Sequence, residues 1–408
     1  MRQKAEAIRD FIIGVRRQIH RYPELGYQEH KTAELIGGML RDLGIEFRSG
    51  LGGTGIVAEF GPGGGARVLL RADMDALPIA EETGLSFSSQ IEGCMHACGH
   101  DAHVAMVLGA ASLLRNESFS GRVRLLFQPA EEGCYDDPDG FSGARRMIGE
   151  GVLAGVDAAL ALHQVPTLTS GTIALNSGAV MAASDIFEIV VRGRAAHAGA
   201  SPQEGIDAIL IASELVLGLQ TVVSRQVSPF EVAVLSICTI EGGKAANIIA
   251  DNVRLTGTIR ALNSALQGRV RALVEQRCDA LAGLYQTSIS FSLLDSIPLT
   301  ENSEMVVQLA RDAVVEILGE EALLEVEPCM GAEDFSFIAG EVPSCLALLG
   351  TMPPESGTAP LHSPHMILDE DALPIGAAYL AQTALSLLRP GGLIQADLAD
   401  DADRGLSG

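Results

Sequence analysis

The sequence predicts an α/β protein with a mostly parallel central sheet, into which a smaller α+β unit of ferredoxin-like order is inserted. Three observations carry this. Short apolar runs alternate with apolar helical stretches through the first part of the chain, the rhythm changes near Ala183 to the order βαββαβ, and the first rhythm resumes after Leu294. Alternating strands and helices favour parallel strands joined by crossover helices, whereas βαββαβ is the order of a split α+β unit. With 408 residues the chain is long enough to bury two cores.

The N-terminal stretch MRQKAEAIRDFIIGVRRQIH reads as an amphipathic helix whose apolar positions are broken by charge, so it lacks the continuous core of a signal peptide. No run approaches the ~18 apolar residues of a membrane span. The seven cysteines, Cys94, Cys98, Cys134, Cys238, Cys278, Cys329 and Cys345, are odd in number and scattered, unlike a secreted disulfide framework. A cytoplasmic protein with no membrane partner is expected. The net charge of −24, from 52 acids against 28 bases, argues against nucleic acid, which needs clustered Lys and Arg.

Residues 66–73 (ARVLLRAD), 122–128 (RVRLLFQ) and 157–163 (DAALALH) are apolar runs closed by turn chemistry and are expected strands, with helices at 101–114 and 141–152. From Ala183, DIFEIVVRGRAAHAG is a strand and turn, GIDAILIASELVLGLQTVV a helix, EVAVLSICTIEGG and DNVRLTGTIRAL two strands, ALQGRVRALVEQRCDALAGL a helix and TSISFSLL a strand. A helix at 303–318, the strand CLALLG and the helix ALPIGAAYLAQTALSLL then complete the first domain. The expected division is 1–182 and 294–390 for the first domain, 183–293 for the inserted one, and 391–408 for a polar acidic tail.

Ligands of open parallel sheets bind at the carboxyl ends of the strands. Here those ends read Asp73-Met74-Asp75, Gln128-Pro129-Ala130-Glu131-Glu132-Gly133 and His163, and the stretch Cys94-Met95-His96-Ala97-Cys98-Gly99-His100-Asp101-Ala102-His103 runs directly into a helix. A structural zinc knot needs a second close ligand pair and a redox pair needs two intervening residues, but the thiols of CMHAC stand alone with three residues between them. A mixed site remains, in which Cys98 and His100 join distant Glu132, His163 and another His. Carboxylate, imidazole and one thiolate suit Zn or Mn-class divalent ions, and five such ligands are too many for one tetrahedral ion but fit two ions sharing a bridge.

The segments IHRYPELGYQEHKTAELI, LLRADMDALPI, MHACGHDAHVAMVLGAA, FQPAEEG, ALHQVP, AAHAGASPQEGIDAI, GTIRAL, GAEDFSF and LHSPHMILDEDALPIGA occur in that order over about residues 12–385. With them the chain resembles the M20 metallopeptidases, in the amidohydrolase branch that includes hippurate, N-acyl-amino-acid and auxin-conjugate hydrolases. The resemblance implies a dinuclear-metal catalytic domain and a lid domain that mediates dimerisation. It further implies Cys98 as bridging ligand, His100 and His163 on one ion, and Glu132 and His362 on the other. Glu131 matches the general base, Asp75 an acid that orients a ligand imidazole, and His197 a donor to the developing oxyanion. Asn247 and Arg260 match residues that bind the carboxylate side of the substrate. His96, His103 and Asp73 are expected to support rather than ligate, and Glu333 in GAEDF to line the site.

The implied activity is hydrolysis of the amide of an N-acyl amino acid or related small-molecule amide, with two divalent ions per subunit, Mn2+ or Zn2+, Co2+ and Ni2+ also being compatible. A homodimer or tetramer through the lid is implied with it. Dipeptidase, carboxypeptidase or deaminase chemistry on the same scaffold is the alternative reading, and a non-catalytic binding homologue is a third, against which the intact Glu131 and five ligand positions argue. Two departures stand out: the segment CYDDPDGFSGARRMI after AEEG is longer and more acidic than the short glycine-rich link of the branch, and the LHSPHMILDED segment is less aromatic than in hippurate-type members.

Overall fold

The computed structural model describes residues 1–133, 142–354 and 359–389. Most of the acidic segment after Gly133 and the tail beyond residue 390 therefore lie outside the described residues. The chain divides into two compact units, one made of Met1–Val180, Glu301–Glu327 and the chain from Asp334 onward, the other of Met181–Thr300 with Pro328–Glu333.

The first unit is built on an eight-stranded sheet whose centre is parallel. Gly121–Gln128, Arg67–Asp73, Ala158–Thr169 and Ser344–Met352 lie side by side in parallel register, with Ala72 opposite Phe127 and Leu348 opposite His163. Their interiors are continuous runs of Val, Leu and Ala because both faces are covered. Antiparallel strands finish the sheet: Phe47–Leu51 pairs with Gly55–Gly63, which pairs with Gly121–Gln128. These two strands escaped the sequence reading, since their glycine-rich sequence and exposed Phe47–Leu51 face lack a strong apolar signal.

The helix His100–Leu114 is buried at every position but one, so its sequence of small and apolar residues shows no polar face. It packs with Arg9–Arg21 and Leu373–Leu388 over the sheet, sharing the core of Ile12, Leu70, Met106, Leu125 and Tyr379. Gly99 precedes it at φ 88°, and a Cβ there would lie 2.5 Å from the Gln164 amide nitrogen. Only glycine meets both conditions, and this close approach brings the helix start against the end of the Ala158–Thr169 strand.

The second unit has the expected βαββαβ order, with strands Ala183–Arg192, Ala233–Gly242, Asn252–Ala261 and Ile289–Ile297 and helices Ala208–Gln226 and Ser264–Tyr285. Its four strands are antiparallel throughout, and the last strand pairs with the first. Pro328–Glu333, which the sequence places in the catalytic part, belongs to this unit because the Ala182 N–H donates to the carbonyls of Cys329 and Gly331. One expectation needs correcting here. The 19-residue helix Ala208–Gln226 is long and apolar enough by composition to cross a membrane. Instead it buries Ile211, Ala212, Leu215, Leu219 and Val222 in the core of this unit.

Candidate metal centre

The carboxyl ends of the parallel strands carry the chemistry. Arg67–Asp73 delivers Asp75 two residues beyond its end, Gly121–Gln128 leads into Glu131 and Glu132, and Ala158–Thr169 carries His163. His100 opens the buried helix, with Cys98 two residues before it. His362 comes from the loop that follows the fourth parallel strand, held by its N–H donating to the Ala97 carbonyl at 2.9 Å with φ at 63°. All five expected ligands are thus brought together in the first unit.

Ligand atoms of Cys98, His100 and His163 lie within 4.8 Å of one another, as do those of Cys98, Glu132 and His362. Cys98 is common to both groups. Its Sγ is 3.4 Å from Nε2 of His163, and Nε2 of His362 is 3.0 Å from Oε1 of Glu132. Hydrogen bonds on the far side of each ring fix which nitrogen faces the cluster. Nδ1 of His100 donates to Oδ1 of Asp75 at 3.1 Å, and Nδ1 of His163 donates to the Gln164 carbonyl at 2.6 Å. This arrangement leaves the Nε2 lone pairs for a cation.

At the centre, Nε2 of His100 is buried without a hydrogen-bond partner of good geometry among the described residues, and the buried Oε1 of Glu132 has the His362 ring nitrogen 3.0 Å away. Buried polar atoms are normally satisfied, so an unsatisfied His100 Nε2 that faces the Glu132 carboxylate at 4.0 Å fits a cation between them. The charges fit as well. Burial pushes the Cys98 thiol well above its ordinary range, and burial also opposes charge on His100, which Asp73 and the Cys98 sulfur nonetheless pull well upward. A bound divalent ion would supply the positive charge that a buried thiolate needs. The residues present therefore fit divalent metal.

Glu131 is nearly buried beside this group. Its Oε2 is 3.9 Å from Nε2 of His100, and its Oε1 accepts the Asp334 N–H at 3.4 Å. Asp75 serves two neighbours, since its Oδ2 accepts the Glu132 N–H at 3.0 Å while Oδ1 takes His100.

Asp73 and His103 prove to be a buried pair. Nδ1 of His103 donates to Asp73 at 2.6 Å, and its Nε2 accepts the Gln164 N–H at 3.0 Å, so both nitrogens of His103 are engaged away from the metal group. Asp101, in the same motif, turns to Arg16 and His20 at 3.1 and 2.8 Å. His96 is buried with neither ring nitrogen hydrogen-bonded among the described residues, and burial lowers its pKa to about 4.

Sequence reasoning missed the framework beneath the site. Arg71, buried in mid-strand, donates to Asp73 at 2.7 Å, Gln128 at 2.9 Å and Asp334 at 2.8 Å, and Asp334 also accepts from the Gln128 amide at 2.8 Å and the Ala144 N–H at 3.2 Å. A cation within an apolar strand run, as in LLRAD, was the available signal. Gln164 was missed too. Its amide donates to the Cys98 carbonyl and its oxygen accepts from Thr351, both at 2.7 Å.

The second unit carries the remaining expected residues. His197 is exposed, and its Nδ1 accepts the N–H groups of Gly199 and Ala200 at 3.2 and 3.1 Å, so the ring's proton sits on Nε2. The Ala198 N–H donates to the Asn247 carbonyl at 3.0 Å and His197 bridges to Ile248, which places His197 and Asn247 side by side. Arg260 stands near the end of the Asn252–Ala261 strand, its Nε 3.3 Å from the Thr258 hydroxyl. Glu333 is buried in this unit.

The model of peptidase family M20/M25/M40 matches residues 69–386. The chain is similar to an IAA-amino acid hydrolase of Arabidopsis thaliana, 39% identical over 394 residues that cover 95% of this chain and 87% of that protein. Thermostable carboxypeptidase 1 of Saccharolobus solfataricus is 39% identical over 92% of this chain and 95% of its own length. N-acetyl-L-cysteine deacetylase of Bacillus subtilis is 39% identical over 92% of this chain and 88% of its own length. Among solved structures, a dinuclear metal binding peptidase of the M20 family from Bacillus subtilis superposes with a TM-score of 0.81 at 34% identity, over 94% of this chain and 99% of that one.

Proposed function

The chain belongs to peptidase family M20/M25/M40, and from that premise we propose a two-metal amidohydrolase that cleaves N-acyl amino acids or related amides into a carboxylic acid and an amino acid. It is a metal-dependent hydrolase. The observation that carries the reading is the paired ligand group sharing Cys98, with Glu131 beside it and the unsatisfied Nε2 of His100 within it. A pure binding homologue has no need of the base. Names of the relatives support an amide bond next to an amino acid as the target, IAA-amino acid hydrolase and N-acetyl-L-cysteine deacetylase above all.

Divalent ions, when bound, supply Lewis acidity that polarises the amide carbonyl and makes the attacking water more acidic. Zn2+ or Mn2+ suits the sulfur, nitrogen and oxygen donor set. Glu131 takes a proton from the attacking water and returns it to the departing amine, a role open to a carboxylate whose other oxygen is anchored by the Asp334 N–H. Asp75 keeps the His100 ring in the tautomer that ligation requires. His197 carries its proton on Nε2, the form that can donate to a developing oxyanion. Asn247, beside it, and Arg260, whose guanidinium suits a carboxylate, are assigned to the amino-acid side of the substrate.

Association of copies through the second unit is part of the reading. Its edge strand Ala233–Gly242 and the exposed Leu210, Leu217 and Ile240 support a homodimer or tetramer, which sedimentation velocity tests. A cytoplasmic location is retained on the cysteine pattern. The activity itself is tested with metal-loaded protein and a panel of N-acetyl, N-benzoyl and indole-acyl amino acids alongside dipeptides. Turnover of the acyl amino acids supports the reading, turnover of dipeptides alone favours the peptidase alternative, and turnover of neither overturns both.

A further inference from the structure

The segment Tyr22-Pro23-Glu24-Leu25-Gly26-Tyr27-Gln28-Glu29 has no part in the chemistry described above, yet it lies against the turn that carries Glu131 and Glu132. Glu29 is fully buried. Its Oε1 accepts the Ala130 N–H at 2.9 Å and its Oε2 accepts the Thr54 hydroxyl at 2.5 Å. It stands at the start of the His30–Asp42 helix but makes no side-chain capping bond there, so the carboxyl is committed elsewhere.

Ala130 sits at φ 47°, a left-handed conformation that a residue with a Cβ adopts only when its surroundings over-determine it. Three contacts do so. Glu29 holds its N–H, its carbonyl accepts the Gly143 N–H at 3.2 Å, and Gly26 packs so closely that a Cβ there would come within 3.0 Å of the Ala130 Cβ and 3.3 Å of the Gly133 carbonyl. The same segment is fixed to the next strand end, because the Ala76 N–H donates to the Glu24 carbonyl at 2.8 Å and Leu25 bridges to Ala76. Two amides flanking Glu131 are thus each held by a buried carboxylate, Ala130 by Glu29 and Glu132 by Asp75.

We propose that Glu29 is a positioning residue for Glu131: by holding the Ala130 amide it fixes the left-handed turn that aims the base. The proposal rests on the reading of Glu131 as the base, but its structural half can be tested without it. A glutamine at 29 keeps an acceptor for Ala130 and a polar partner for Thr54, whereas leucine keeps the bulk and removes both. A small shift of a base costs as much as about 100-fold in rate.

The experiment compares wild type, Glu29→Gln and Glu29→Leu, metal-loaded, by kcat and KM on the best N-acyl amino acid of the panel and by amide hydrogen exchange over residues 130–133. Expected for Glu29→Leu is faster exchange in that turn and a kcat lower by about tenfold or more, with KM little changed. Glu29→Gln restores both. If Glu29→Leu does not fold, Thr54→Val, which removes the partner of the second oxygen, shows the same two changes more weakly. The proposal is overturned if the turn exchanges no faster in the leucine variant, or if glutamine is as impaired as leucine. Should wild type hydrolyse nothing on the panel, the parent reading fails, and the exchange result still decides whether Glu29 holds the turn.

Discussion

Asp75 places one carboxylate oxygen 3.1 Å from Nδ1 of His100 and the other 3.0 Å from the Glu132 amide, so a single buried acid orients two expected ligands. An asparagine there offers one acceptor to these two donors. Asp75→Asn is expected to weaken metal binding by about 10- to 100-fold with little loss of thermal stability. Competition against a chelator of known affinity measures this, and unchanged affinity would remove Asp75 from the account.

Cys98 belongs to both ligand groups. If its sulfur bridges two ions, Cys98→Ala loses both, and elemental analysis of dialysed protein reads close to no metal. Retention of one ion per chain would instead make the thiolate a terminal ligand of the other.

Arg71 joins Asp73 and Asp334, and all three are buried. Arg71→Met removes a buried cation that both carboxylates contact. Breaking such a group costs about 3–5 kcal/mol, read as a lower urea midpoint. A variant as stable as wild type would show that this framework does not hold the strand ends together.

Burial and the nearby charge of Asp75 raise the Glu29 carboxyl to about 7, against an ordinary value of 4.5. The folded state then binds more protons than the unfolded one between these values. Its contribution to stability is fully present below about 4.5 and is lost as pH rises through about 7, a change on the order of 3 kcal/mol. Glu29→Gln removes the titration, so the variant gains on wild type in denaturant midpoint at pH 8 relative to pH 5. Equal differences at the two pH values would contradict this.

Much of the architecture was legible because continuous apolar runs mark buried parallel strands and the βαββαβ order marks the inserted unit. The Phe47–Leu51 and Gly55–Gly63 strands were not, since an edge strand with exposed residues carries little pattern. At the site, His, Cys and Glu stand out by residue type, and the family resemblance sorted them. What escaped were residues whose work depends on long-range pairing: Arg71 with Asp334, Gln164 with Cys98 and Thr351, and Glu29 with Ala130. No local spacing announces such pairs. Conversely, Asp101 sits among ligands in sequence yet faces Arg16 and His20 in the fold.

The central claim is that Glu131 acts as the base beside a metal group it does not help to hold. Steady-state hydrolysis of an N-acyl amino acid by metal-loaded Glu131→Gln, with the metal content of the same sample determined, tests it most directly. The account predicts full metal occupancy and a kcat lowered by about 100- to 10,000-fold. Wild-type turnover in the metal-loaded variant would contradict it.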